Sequence, residues 1–440
     1  MSFLANEPLI GIDSSRQRIR ESFLADDTAV LKGLLPLADL GGQGRLQAQT
    51  LARQLVEKVR GVHGGGGEIN ALLSEFSLSS EEGVVLMCLA EALLRVPDEK
   101  TADRLISEKL GSGNWEAHAG HSSSLFVNAS AWGLLISGRL MAYSESGQYR
   151  LRELLRRLVS RLGKPVVRRA ITYAMGLMGE QFVFAENIGD ALSRAGKKEH
   201  RGYRFSYDML GESARTDADA RRYFDRYLQA IEAVGKSASG DGPIGRPGIS
   251  VKLTAIHPRF EFGQRDRVMK ELVARLGQLA EAARDADIGL TIDAEEAHRL
   301  DLSLDIIEAV CCRPELGEWE GLGLAVQAYQ KRALPVIDWC HQLARRSGRR
   351  LMVRLVKGAY WDTEIKLAQV RGLKDYPVFT RKQATDVSYH ACVRRLLEYR
   401  DRLYPQFATH NAYSIAAVQT LAGNSGSYEF QRLHGMGEAL

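Results

Sequence analysis

The 440-residue chain is poor in cysteine, in long apolar runs and in segments dominated by one sign of charge. Its five cysteines are Cys88, Cys311, Cys312, Cys340 and Cys392. They are odd in number and form no C-x-x-C pair, which argues against a disulfide framework and for a reduced, cytoplasmic protein. No window holds about 18 uninterrupted apolar residues, so no membrane-spanning helix is expected, though peripheral contact stays open. The opening MSFLANEPLIGIDSSRQRIR lacks a basic stretch followed by an apolar one, so no signal peptide is expected. A net charge of +5 is too diffuse to suggest nucleic acid, and no basic stripe with base-reading side chains is visible. No nucleic-acid partner is therefore expected. No H-E-x-x-H or paired histidine and carboxylate stands at ligand spacing, so no metal is expected.

What is present divides in two. Up to about residue 200 the chain reads as almost entirely helical, with a glycine run, Gly64 to Gly67, as a flexible connection. A helical arm is expected over 1–45, a helical domain over 46–130 and a helical linker over 131–202. From 203 short apolar runs alternate with helical segments. The expected strands are 204–210, 249–254, 288–294, 322–329, 351–356, 407–411 and 428–433. Repeated strand–helix alternation implies parallel strands with crossover helices, and here an α/β fold of the (βα)8 TIM-barrel type over 203–440. No G-x-G-x-x-G follows the first expected strand, which weakens a dinucleotide-binding alternative. Seven strands and not eight are legible, so the barrel is expected to be incomplete at its C-terminal end and the chain to be part of a longer one.

In such a barrel the active site lies at the C-terminal ends of the strands. Those ends carry Asp208, Lys252, Asp293, Gln327, Arg354 with Lys357, His410 with Asn411, and Gln431. Each has an ordinary reading. Lys252 could reach solvent, Asp293 could cap a helix, His410 could be a core histidine, and Gln327 could tie a loop. Jointly they are harder to dismiss, because a charge inside a barrel must be paired or serve a ligand. Lys252, Arg354 and Lys357, opposed by Asp208, Asp293 and Glu212, suit an anionic ligand such as a carboxylate or phosphate. Gly358 and Ala359 permit close backbone approach, and Tyr360 and Trp361 could stack on a flat ring. A Schiff-base lyase using Lys252 is the competing enzyme class. A scaffold that self-associates through its N-terminal helices is the non-enzymatic one.

The segments SVKLTAIHPRFE, TIDAEEAHRLDLSLDIIE, GLAVQAYQKRA, RLVKGAYWDTEIKLAQ, YPVFTRKQATDVSY, YPQFATHNA and YEFQRLHGMGE occur in this order. Together they resemble the proline dehydrogenase portion of the bacterial bifunctional proline utilization A family. The resemblance implies a (βα)8 barrel holding FAD and oxidising L-proline to Δ1-pyrroline-5-carboxylate. Hydride would pass from proline C5 to flavin N5, and electrons onward to a quinone in the inner membrane. It implies that Lys252 pairs with the proline carboxylate, Asp293 and Asp208 hold the basic groups of that site, and Leu433 walls the ring. Lys252, Asp293 and Arg354 would form the catalytic set. Gln327 and Arg354 would bond the isoalloxazine, with Val356, Lys357, Gly358 and Ala359 at its edge and Trp361 packed on the cofactor. Thr380 and Lys382 would meet the adenosine end, and His410 and Asn411 the ribityl or pyrophosphate. Ala408 and Gln431 complete the implied cofactor set. The family also implies an aldehyde dehydrogenase domain in the same longer chain, and a homo-oligomer is expected.

Overall fold

Seven short strands occur in chain order and pair in that order, all parallel: β1 (Ser206–Asp208), β2 (Gly248–Val251), β3 (Gly289–Ile292), β4 (Leu322–Gln327), β5 (Leu351–Val356), β6 (Leu403–Ala408) and β7 (Glu429–Gln431). The structure is a computed structural model describing residues 14–62, 183–210, 213–423 and 426–437, with residue 440 and scattered positions between 161 and 176. Much of the expected N-terminal helical domain, and Glu212, lie outside the described residues. No described helix is long and apolar enough to cross a membrane.

Side chains alternate across a strand, so each strand has two faces. One face carries Ile249 and Val251, Leu290 and Ile292, Leu322, Leu324 and Val326, Leu351, Val353 and Leu355, then Leu403 and Phe407, all in one apolar core. Against it pack α4 (Asp217–Ser237), α5 (Arg265–Asp285), α6 (Leu300–Cys311), α7 (Ala333–Ser347) and α9 (Lys382–Glu398). α8 (Trp361–Val370) and α10 (Ala412–Ala422) complete the crossovers. The opposite face carries Ser250, Thr291, Arg354, Gln406 and Glu429. A polar face this continuous can be buried only by curling the sheet so that these groups meet. Arg354 on β5 bonds Ser206 on β1 and Gln431 on β7, which is the TIM-type curvature. Below Arg354, Met352 fills space that a side chain on Gly323 would take: a Cβ there would lie 2.8 Å from Met352.

The strand expected at 407–411 lies instead at 403–408. Pro405 lies inside this strand in register with Val353 of β5, while pairing with β7 begins at Gln406. His410 and Asn411 consequently leave the strand. Asn411 is the N-cap of α10, its side-chain oxygen accepting from the Ser414 N–H at 2.9 Å.

The described residues divide into two compact units. One joins those up to Val56 to Asn187–Arg432; the other comprises those between Glu57 and Glu186 and those from Leu433 to Ala439. In the second, Ala170 and Ile171 are buried and the Phe184 ring meets His434 edge-on at 5.0 Å. In the first, the N-terminal helices α1 (Ser14–Glu21) and α2 (Asp27–Ala38) are wired to the barrel. Arg16 pairs with Asp305 at 2.6 Å and Arg20 with Asp301 at 3.1 Å, both on α6. Lys331, its side chain wholly buried, pairs with Asp27 at 2.8 Å and Asp375 at 3.1 Å and donates to the Ala25 carbonyl at 2.7 Å. Arg394 closes the end of α2 by donating to the Leu37 and Asp39 carbonyls. Removing one member of a buried ion pair costs about 3–5 kcal/mol because the partner is left uncompensated. Lys331→Met should therefore lower stability to urea by about 3 kcal/mol and speed proteolysis between α1 and α2. An unchanged cleavage rate would show that the N-terminal helices are held elsewhere.

Candidate active site

Asp208, Lys252, Asp293 and Arg354 meet in one chain. Lys252, which follows β2 directly, donates to both carboxylate oxygens of Asp208 at 2.8 and 2.9 Å and to Asp293 Oδ2 at 3.1 Å. Arg354 Nη1 donates to the other Asp293 oxygen at 2.9 Å and to Ser250 Oγ at 2.9 Å. Its Nη2 donates to Ser206 Oγ at 2.9 Å and its Nε to Gln431 Oε1 at 2.7 Å. Carboxylate, ammonium, carboxylate and guanidinium thus alternate from β1 to β5. The side chains of Lys252, Asp293 and Arg354 are 7%, 15% and 12% exposed, against 40% for Asp208, so the chain opens to solvent at Asp208. Alternation of sign is what makes such burial tolerable.

A second group lies along the rim. Gln327 Nε2 donates to the Glu295 carbonyl at 2.9 Å, and its Oε1 accepts from the Ala359 N–H at 3.4 Å. Gly358 has φ +136°, and a Cβ there would meet the Tyr329 ring at 2.4 Å. Its glycine is therefore required by the protein itself. Val356 is half-buried at the end of β5. Lys357 points away from Arg354: it pairs with Asp386, as Lys382 does at 3.0 Å, and lies over the Tyr389 ring at 5.6 Å. Trp361 is 42% exposed and donates through Nε1 to the Phe379 carbonyl at 2.9 Å. Thr380 donates through its hydroxyl and its N–H to Asp27 at 3.1 and 3.3 Å. The Ala408 carbonyl accepts from Tyr389 at 3.5 Å. Partial burial and the Arg432 charge push the His410 imidazole pKa down. Leu433 belongs to the second unit and is 61% exposed.

Reading only strand ends missed the hydroxyls of Ser206 and Ser250, two of the partners of Arg354. The signal was available: both stand two residues before a charged strand end, on the same face. Tyr227, whose hydroxyl oxygen accepts from the Lys252 N–H at 3.4 Å, gave no such signal, since it lies on the buried face of α4. Asp293 is the link that joins the two cations. Asp293→Ala should cost about 3–5 kcal/mol in urea unfolding, whereas Ser250→Ala should cost only about 1 kcal/mol. Equal losses would show that the ion pairs carry no special weight.

Three family models match the chain. One described as proline dehydrogenase matches residues 191–440, and the N-terminal domain model of proline utilization A proline dehydrogenase matches 13–60. A third, described as the DNA-binding domain of proline dehydrogenase, matches 68–182. That description runs against the expectation of no nucleic-acid partner; most of the segment lies outside the described residues. The bifunctional protein PutA of Salmonella typhimurium is 53% identical over 440 residues, 99% of this chain and 33% of its own length. That of Escherichia coli is 52% identical with the same coverage. Proline dehydrogenase 1 of Bacillus subtilis is 26% identical over 62% of this chain and 80% of its own. A solved PutA structure with proline bound in remote sites is 49% identical, with a TM-score of 0.70 over 95% of this chain and 42% of that one. The chain spans 33% of the length of the PutA relatives, about a third. The chain belongs to the proline dehydrogenase family, and within it resembles the proline dehydrogenase portion of PutA.

Proposed function

We propose that this chain carries out the FAD-dependent oxidation of L-proline to Δ1-pyrroline-5-carboxylate, the first step of proline catabolism. The reading includes a membrane quinone as electron acceptor, an aldehyde dehydrogenase domain in the same longer chain and a homo-oligomer, at the cytoplasmic face of the inner membrane. The observation that carries it is the Asp208–Lys252–Asp293–Arg354 chain, buried at one end and open at the other, in a chain of this family.

The residues fit both molecules. A proline carboxylate entering at Asp208 finds the Lys252 ammonium, whose present partners are carboxylates of the same chemistry. Asp293 fixes Lys252 and Arg354 relative to each other, so the substrate anchor and the guanidinium keep one spacing. Arg354 and Gln327 offer a cation and an amide suited to the polar edge of an isoalloxazine. Lys357, Thr380, Lys382 and His410 offer donors suited to phosphates and ribose, and Trp361 offers a half-exposed ring for stacking. Lys357 and Lys382 share Asp386, and Thr380 holds Asp27, so these carboxylates would share or yield their donors. Ala408, Asn411 and Gln431 would position the neighbouring backbone. A bound flavin would supply a hydride acceptor for proline C5, and Arg354 would supply positive charge suited to its reduced form.

Lys252 donates to three carboxylate oxygens, whereas a Schiff base needs a free lone pair, so the lyase reading is the weaker one. Reconstitution with FAD followed by anaerobic proline addition tests the proposal through bleaching of the flavin absorbance. Lys252→Met should lower kcat/KM for proline about 30-fold, the equivalent of losing one charge-assisted hydrogen bond of about 2 kcal/mol. Flavin binding without bleaching would overturn the proline reading, and borohydride trapping of a carbonyl compound on Lys252 would favour the lyase.

A further inference from the structure

A second line of hydrogen bonds crosses the strand ends without using the ion chain. Its centre is Glu295, three residues after β3 and 9% exposed. The Thr254 N–H donates to Glu295 Oε2 at 3.2 Å, and the Thr254 hydroxyl pairs with Oε1. Thr254 stands two residues after Lys252. On the other side the Glu295 carbonyl accepts from Gln327, whose own oxygen accepts from the Ala359 N–H. The line therefore runs from the end of β2, through β3 and β4, to the turn after β5. We propose that Glu295 is a positioning residue that fixes the Lys252 end of the site and the Gly358–Ala359 turn relative to one another. The effect on catalysis rests on the function proposed above; the effect on the two backbone segments does not.

The chemistry of the pair allows either protonation state. An ionised Glu295 accepts from both Thr254 groups. A protonated one accepts from the Thr254 N–H and donates to its hydroxyl oxygen. Burial pushes the carboxyl up to about 7, opposed by the Thr254 bonds and by the charge of Arg299, with Glu296 acting in the same sense as burial. Of the other charged groups nearby, Lys252 precedes Thr254, and Glu364 on α8 accepts from the Ala297 N–H at 2.6 Å. Because the folded carboxyl titrates above its ordinary value, its contribution to stability is complete below about pH 4.5 and is lost as pH rises to about 7. A glutamine satisfies both Thr254 groups and does not titrate. An alanine satisfies neither.

Wild type, Glu295→Gln and Glu295→Ala of the full chain should be compared by amide hydrogen exchange, by proline KM and by urea stability across pH. Glu295→Ala should speed exchange at both the Thr254 and the Ala359 amides about tenfold or more and raise KM about tenfold with a smaller change in kcat. Glu295→Gln should keep both near wild type while losing the stability slope between about pH 4.5 and pH 7. Thr254→Val, which removes only the hydroxyl, should move the same readouts in the same direction, and it replaces Glu295→Ala if that variant fails to fold. Exchange at Ala359 and KM both unchanged in Glu295→Ala, or in Thr254→Val where it stands in, would overturn the proposal. If wild type does not oxidise proline, the functional reading falls, and the Ala359 exchange rate alone still decides the role of Glu295.

Discussion

Asp293 holds Lys252 with one oxygen and Arg354 with the other, and most of the barrel interior follows from that double contact. Neither cation could be left in the barrel without a carboxylate beside it. Both strands that bring the cations must therefore keep their register with β3, and the polar face of the sheet must turn inward. The apolar face then has only the helices to pack against. The paired charges and the apolar alternation thus agree on which way these strands face, and the helix layer covers the apolar side.

The surrounding loops add constraints of another kind. Gly358 is required by Tyr329, and Asn411 by the first turn of α10. Asp27 on the N-terminal α2 reaches both Lys331 and Thr380. The N-terminal helices are accordingly part of the barrel's electrostatics as well as its packing, even though α2 ends at Ala38 and β1 begins only at Ser206.

The barrel was legible because alternating short apolar runs and helical segments admit few architectures, and because a polar strand end recurs on every unit. Its details were less so. The strand expected at 407–411 begins four residues earlier, at Leu403, because pairing with β5 carries Pro405 into β6 despite its local propensity. Lys357 and Arg354 read as one cationic patch, yet an odd spacing along a strand sends them to opposite sides. Ser206 and Ser250 escaped because attention to strand termini ignores the residue two places earlier. Glu295 escaped because its role depends on a neighbouring strand end, which sequence order does not disclose.

Arg354 has partners 148 residues before it, at Ser206, and 77 after it, at Gln431. Its guanidinium loses water only when both ends of the sheet have arrived, and before that moment its burial is unfavourable. Full satisfaction of this guanidinium therefore depends on contacts of long sequence separation, which pairing of β5 with β4 and β6 alone does not supply.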